Sequence, residues 1–299
     1  MALRRAPLAA AAVTAVLAGP LAGCGQGRDA LTGVSPAQAV SRAASRSTSG
    51  SFRVDTAQTI TFDPSRLSAA ARQGFGKKQA QHQTIKEDVE SAKRLGGVLS
   101  TDSRSGIHIV LYDGTVYVSP DGRDYKEAPV FQGLADTFST HQVQEYADHI
   151  GGLKDRGRST QDGVDTERFD GVLDQAYLST LSTRLLGSLF SGLGAPSGLA
   201  SSVGQAIHYD RADVTFYVDR ASGSLVREAS IADVSLDFDR LATLSGHSTP
   251  GLGGVLEVST DGSTHLYDHG AHITVAHPSA TGTISLQELG ALFGSAPTG

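Results

Sequence analysis

The chain has no tryptophan, one methionine and one cysteine, and aromatic residues make up only 6% of it. A single cysteine excludes an intramolecular disulfide, so the fold must rest on burial of apolar surface. Few aromatics combined with 35 glycines favour many short strands joined by turns. No Gly-x-Ser-x-Gly elbow and no Gly-x-x-x-x-Gly-Lys loop occurs, which leaves a hydrolase nucleophile and a phosphate cradle without support. The balance of 31 acidic to 25 basic residues, net −6, argues against a nucleic-acid partner. The apolar stretch Leu8–Leu17 is too short to span a bilayer.

What is present begins at the N-terminus. Arg4-Arg5, that apolar stretch and the small residues after it read as a secretory signal peptide over 1–23. The stretch ends in Leu21-Ala22-Gly23-Cys24, which resembles the bacterial lipobox, and Cys24 is the lone cysteine. The resemblance implies cleavage before Cys24, acylation of its thiol, and anchoring on the extracytoplasmic side of the cell membrane. Each buried methylene contributes about 0.8 kcal/mol, so two or three chains hold stably where one is marginal. Two of the basic residues, Arg4 and Arg5, precede Cys24 and no acidic residue does, so the balance after cleavage is −8. Residues 24–34 are Gly-rich and polar and read as a flexible tether.

From 35 to 299 a single domain is expected. Ser35-Pro36-Ala37-Gln38 carries a cap, a first-turn proline and a capping-box partner, so a helix starts there and runs to about Ser45. Phe52–Phe62 alternates as a strand. Residues 64–94 form a basic insertion, with seven cations (Arg66, Arg72, Lys77, Lys78, Lys86, Lys93, Arg94) against Glu87, Asp88 and Glu90. The spacing of Ile85, Val89 and Ala92 predicts a surface helix over about 84–94. That charge reads first as a solvated face and second as a contact for anionic headgroups.

Strands follow at Val98–Thr101, Ile107–Tyr112 and Val116–Ser119, with hairpin turns at Asp113-Gly114 and Asp121-Gly122. A helical stretch is expected over 134–150, then a strand pair (157–160, 164–173) about Asp162-Gly163. Gln175–Phe190 places Leu178, Leu181, Leu185 and Leu189 on one helical stripe, widened by Leu186, Phe190 and Leu193. Residues 191–206 are small and nearly uncharged, neither clearly helix nor strand. Strands return at 214–218, 225–238, 255–259, 264–267 and 273–276, with a turn at Asp261-Gly262, and Ser285–Phe293 closes the chain as a helix. About ten strands with few helices make an α+β domain with one large antiparallel sheet.

In four stretches the chain resembles the LppX/LprA/LprF/LprG-type lipoproteins of actinobacteria, which share a fold with the LolA and LolB carriers. They are the lipobox with the Ser-Pro helix and Ser51–Val54; Val110–Ser119; Asp162–Asp174; and Phe216–Asp219 with Gly223, Leu225–Arg227, Tyr267–Gly270, Ile273–Val275 and Pro278. The resemblance implies a strongly curved antiparallel sheet, a LolA/LolB-like half-barrel, with helices on its concave face. It also implies an acylated lipid or lipoglycan held between sheet and helices, no catalytic residues and no cofactor.

Read from the residues alone, the leucine stripe must be buried, either in a close-packed core or in a lipid cavity lidded by 191–206. Cavity candidates are Leu178, Leu181, Leu185, Leu186, Leu189, Phe190, Leu193, Leu199 and Val203. His265, His269, His272 and His277 are scattered over two strands and a turn and do not make a metal site. Asp237 and Asp239 flank Phe238 on a solvated strand face. The expected function is non-covalent binding, with transfer or retention, of a lipid or lipidated glycan. The alternative is a ligand-free interaction or sensor lipoprotein that regulates a membrane partner.

Overall fold

Strand β1 (Phe52–Asp63) lies at the middle of the sheet. The computed structural model describes residues 30–47, 50–102, 104–131, 149–192, 198–245 and 253–293. Along β1, Phe52, Val54, Thr56, Gln58 and Ile60 are buried, whereas Arg53 and Ala57 are exposed. This is the alternation of a strand with one covered face. β1 pairs antiparallel with β2 (Gln79–Ser91) on one side and β11 (Val255–Tyr267) on the other.

Two meanders meet at that strand. One continues from β1 and β2 through β3 (Arg94–Thr101), β4 (Arg104–Tyr112), β5 (Thr115–Ser119) and β6 (Tyr125–Glu127). The other runs from β7 (Ile150–Gln161) through β8 (Val164–Leu173), β9 (Ile207–Asp219) and β10 (Leu225–Asp237) to β11. β12 (Ala280–Thr283) returns to lie parallel to β6 at one edge. The result is one curved, unclosed sheet of twelve strands, antiparallel except at that edge, with β12 and β7 as its borders. The expected α+β half-barrel is the architecture observed.

The turns follow their residues. Asp113-Gly114 (φ 48° and 91°) and Asp162-Gly163 (φ 50° and 85°) both have positive φ at the two central positions, which the right-handed twist of a two-residue hairpin favours. Edge strand β7 is protected by exposed Lys154, Asp155, Arg156 and Arg158 and by breaks in register at 151–154 and 155–157.

The helices are α1 (Pro36–Ser47), α2 (Ala69–Phe75), α3 (Gln175–Gly192), α4 (Leu199–Ala206), α5 (Phe238–Ser245) and α6 (Leu286–Phe293). The predicted capping box of α1 forms: Gln38 N donates to Ser35 Oγ and Ser35 N to Gln38 Oε1, both at 3.3 Å. α6 has the same device in Ser285 and Glu288. Ala39, Val40, Ala43 and Ala44 of α1 pack with Tyr177, Leu178 and Leu181 of α3 on Phe52, Val54, Phe169, Val214, Phe216 and Leu266. Fully burying such a Phe, Val or Leu contributes about 1.5–3 kcal/mol. A second cluster joins Leu111, Val116 and Val118 to Val130 and to Leu289 and Leu292 of α6, and a third joins Leu67 and Ala71 to Leu256.

Four expectations are corrected. Residues 84–94 are not a helix: β2 covers 79–91 and β3 starts at Arg94. Ile85 and Val89 are four apart, a spacing in phase with both periods, and the inward series continues through Gln83 and Glu87 as a strand requires. The Asp261-Gly262 turn does not form, because β11 is paired on both flanks, to β1 and β10, straight through it. Residues 273–276 join no ladder: Ile273 and Val275 are buried, Val275 packs on Val110 and Tyr117, and its N–H bonds Glu90 Oε2 at 2.8 Å. Within 191–206, α4 is a helix from Leu199. The expected helix over 134–150 and the segment 1–29 with Cys24 lie outside the described residues, apart from Ile150, which opens β7.

Candidate functional site

The concave face lies under α3, and local bonds fix that helix. Asp174 Oδ1 accepts Tyr177 N at 2.9 Å and caps the N-terminus. Gln175 Nε2 donates to Tyr209 O at 2.7 Å, and Ser182 Oγ is hydrogen-bonded to the buried Tyr209 hydroxyl. Burial pushes the Tyr209 phenol up from its ordinary value. α3 packs on β9, on α4 and on the short 3-10 turn Pro129–Phe131 beyond β6. Eighteen residues reach about 27 Å, so α3 crosses the hollow from one wing of the sheet to the other. Among those residues only Arg184 is charged, and α4 has no charge at all.

The predicted lining residues separate along this helix. Leu178 and Leu181, at its first turns, are buried in the cluster formed with α1 and β1. Leu186 is buried farther along, and Val203 on α4 is half-buried. Leu185, Leu189 and Phe190 belong to α3 and Leu199 opens α4, but their side chains lie outside the described set, as does Leu193 altogether.

Beneath the helix, the inward residues of the central strands are mixed. Ile85, Leu95 and Ile109 face inward and are only half-buried, although they lie between the first and second clusters. In the row of Ile85 and the next row beyond it run polar rungs that sequence reasoning did not single out. Thr56 Oγ1 and Thr264 Oγ1 share a hydrogen bond at 3.1 Å, and Gln58 Nε2 donates to Gln83 Oε1 at 2.8 Å. All four are buried. Their place in the period-two series of strands that otherwise turn Phe, Val, Ile and Leu inward was the available signal.

Glu87 occupies the same face, opposite Val54 on β1 and Gly97 on β3. Its side chain lies over Gly97, where a Cβ would come within 3.0 Å of Glu87 Cγ. Burial pushes its carboxyl up to about 7. Residue 87 keeps intermediate exposure, so the shift reflects protein packed around the carboxyl rather than full exclusion of water.

Four of the seven cations of the basic insertion face carboxylates. Arg66 pairs with Glu257 at 2.7 Å, Lys78 with Asp63 at 2.9 Å, Arg94 with Glu90 and Asp113 at 3.2 Å, and Lys86 approaches Asp55 at 3.9 Å. Most of these partners lie outside 64–94, where a count within that window misses them. Asp237 caps α5 by accepting Arg240 N at 2.9 Å, and Asp239 Oδ2 accepts Gly254 N at 3.0 Å, so both carboxylates are structural. His277 sits edge-on to Tyr112 and Tyr117, and His265 stacks on Tyr267. No cluster of three or more His, Cys, Asp or Glu side chains suited to a metal occurs among the described residues. Among them, too, no helix is long and apolar enough to cross a membrane.

No family model matches the chain, and no curated protein does. Among solved structures it is similar to LprF from Mycobacterium bovis, at 14% identity and TM-score 0.39 over 82% of this chain and 99% of that one. It is also similar to the lipoprotein LppX from Mycobacterium tuberculosis, at 15% identity and TM-score 0.40 over 81% and 99%. A LolA-superfamily protein from Nitrosomonas europaea shares 10% identity at TM-score 0.25 over 79% and 94%.

Proposed function

We propose that the chain is an envelope lipoprotein, anchored through Cys24 and reaching out on the 24–34 tether, that holds an acylated lipid or lipidated glycan between its concave sheet and α3. One observation carries this reading. A nearly uncharged helix bridges the hollow, and inward apolar side chains at 85, 95 and 109 remain half-buried beneath it rather than closed into one core. A close-packed interior would have buried them. The resemblance of the lipobox and the four sequence stretches to lipid-carrying envelope lipoproteins points the same way. Acyl chains laid against these residues gain about 25 cal/mol per Å² of apolar area removed from water. Leu185, Leu186, Leu189, Phe190, Leu193, Leu199 and Val203 then contact the chains from the helical side, and α4 opens to admit them. Whether the lipid is retained or handed on depends on a partner or membrane that offers it a competing apolar surface.

Native mass spectrometry of the purified chain tests the proposal, followed by solvent extraction of what it carries. A stoichiometric extra mass that releases acyl lipid is the expected result. A clean mass that takes up nothing from lipid vesicles would overturn it and favour the ligand-free interaction module.

A further inference from the structure

Gly262 stands on the inner face of β11, between Gln58 of β1 and Ser230 of β10 in the pairing register. A Cβ placed on it would meet Gln58 Cβ and Ser230 Oγ, each at 3.6 Å. The missing side chain therefore leaves a notch one methyl group wide, flanked by two polar residues. The same notch explains why Asp261-Gly262 sits in a strand: its glycine is used for space, not for a turn.

Gln58 is only 4% exposed. Its Nε2 is turned to Gln83 on β2, and its Oε1 has no hydrogen-bond partner. The planar amide directs Oε1 away from the atom that Nε2 faces, so the free acceptor is not spent on Gln83. A buried acceptor left unmade is destabilising and rare in native interiors. The hydroxyl of Ser230, on the opposite flank of the notch, can accept or donate, and the Thr56–Thr264 rung extends the polar strip by one row.

We propose that this notch is a polar subsite for the bound lipid, in which Gln58 Oε1 and Ser230 Oγ receive a hydrogen-bond donor carried on or beside the acyl chain. The subsite rests on the lipid-binding reading above and narrows it. Plain hydrocarbon leaves the acceptor unmatched, whereas a chain bearing a hydroxyl or an amide N–H satisfies it. The ligand class is thus a hydroxylated or amide-bearing acyl lipid.

The test titrates the purified full chain with stearate, with mid-chain hydroxystearate and with an amide-linked acyl chain, N-stearoylglycine, read by native mass spectrometry. Wild-type protein is expected to bind one of the two donor-bearing probes about tenfold tighter than stearate. Which one does so separates a hydroxyl from an amide source. Gly262→Ala fills the notch at ordinary contact distance and without a positive φ, so its thermal midpoint should match wild type. It should keep stearate binding and lose the preference. Ser230→Ala should reduce the preference with the fold intact. Equal binding of all three probes would overturn the subsite, leave the notch as a water site only, and leave lipid binding standing. Failure of every probe to bind would overturn lipid binding itself and the subsite with it.

Discussion

On β2 every second side chain turns inward, and at position 87 that alternation places a carboxylate opposite Val54 and over Gly97. Burial raises its pKa to about 7, against an ordinary 4.5. A carboxyl that holds its proton more tightly in the folded chain favours folding when protonated. Its contribution is full below about pH 4.5 and is lost as pH rises through about 7. Asp63 and Glu288 act oppositely. The side-chain hydrogen bonds from Lys78 and Lys126 hold each near 2, so their contribution is present above the ordinary carboxylate range and lost toward acid. Glu288 is exposed and Asp63 half-buried beside an exposed lysine, and such surface pairs contribute little. Urea unfolding midpoints should therefore fall between about pH 5 and about pH 8 in wild type and be flatter in Glu87→Gln. An unchanged slope in the variant would show that another group titrates there. The sequence shows Glu87 only as one member of a charged run. That it faces inward depends on a register fixed by β1 and β3.

At the scale of elements, what was legible obeyed local rules. The Ser35 capping box, the Asp-Gly hairpins at 113 and 162 and the helix over Gln175–Phe190 need only neighbours within a few residues, and all formed as their residues predict. What failed was decided by partners far along the chain. Residues 84–91 are a strand because β1 and β3 flank them, and 261–262 stay extended because β1 and β10 do. β7 begins at Ile150, although its exposed Lys154–Arg158 offers no alternation to read. The candidate site was half legible for the same reason: the apolar helix declares itself, whereas the polar rungs exist only once Gln58 meets Gln83 across strands. In α3, Leu181 is 5% exposed and packs in the cluster with Phe52 and Val214, whereas the proposed lining residues lie farther along. Leu181→Ala should cost about 2–5 kcal/mol in denaturant unfolding. A loss below about 1 kcal/mol would mean that this turn of α3 faces yielding space rather than core.

Over the whole molecule, each meander is one contiguous stretch of chain whose strands pair in sequence order, and the two are joined through the pairing of β1 with β11, from Arg53 opposite Tyr267 to Asp63 opposite Glu257. The largest cluster straddles that seam, taking Phe52 and Val54 from one side and Leu266, Phe216 and Phe169 from the other. With no disulfide to tie the halves, the seam and the helices laid across it must carry the cooperativity. Ala57 sits at mid-seam with its side chain exposed on the outer face, paired with Ser263 and Thr84. Replacing it changes the backbone ladder and little else. Ala57→Pro removes a donor from a strand flanked on both sides, where proline is essentially not found. It should lower stability by more than about 3 kcal/mol, with tyrosine fluorescence and far-UV circular dichroism falling in one coincident transition. Thr281→Pro, on the short edge strand β12, should be far milder. Two separate transitions in Ala57→Pro would show instead that each meander, with its own helices, folds as an independent unit and that the hollow between them is assembled only afterwards.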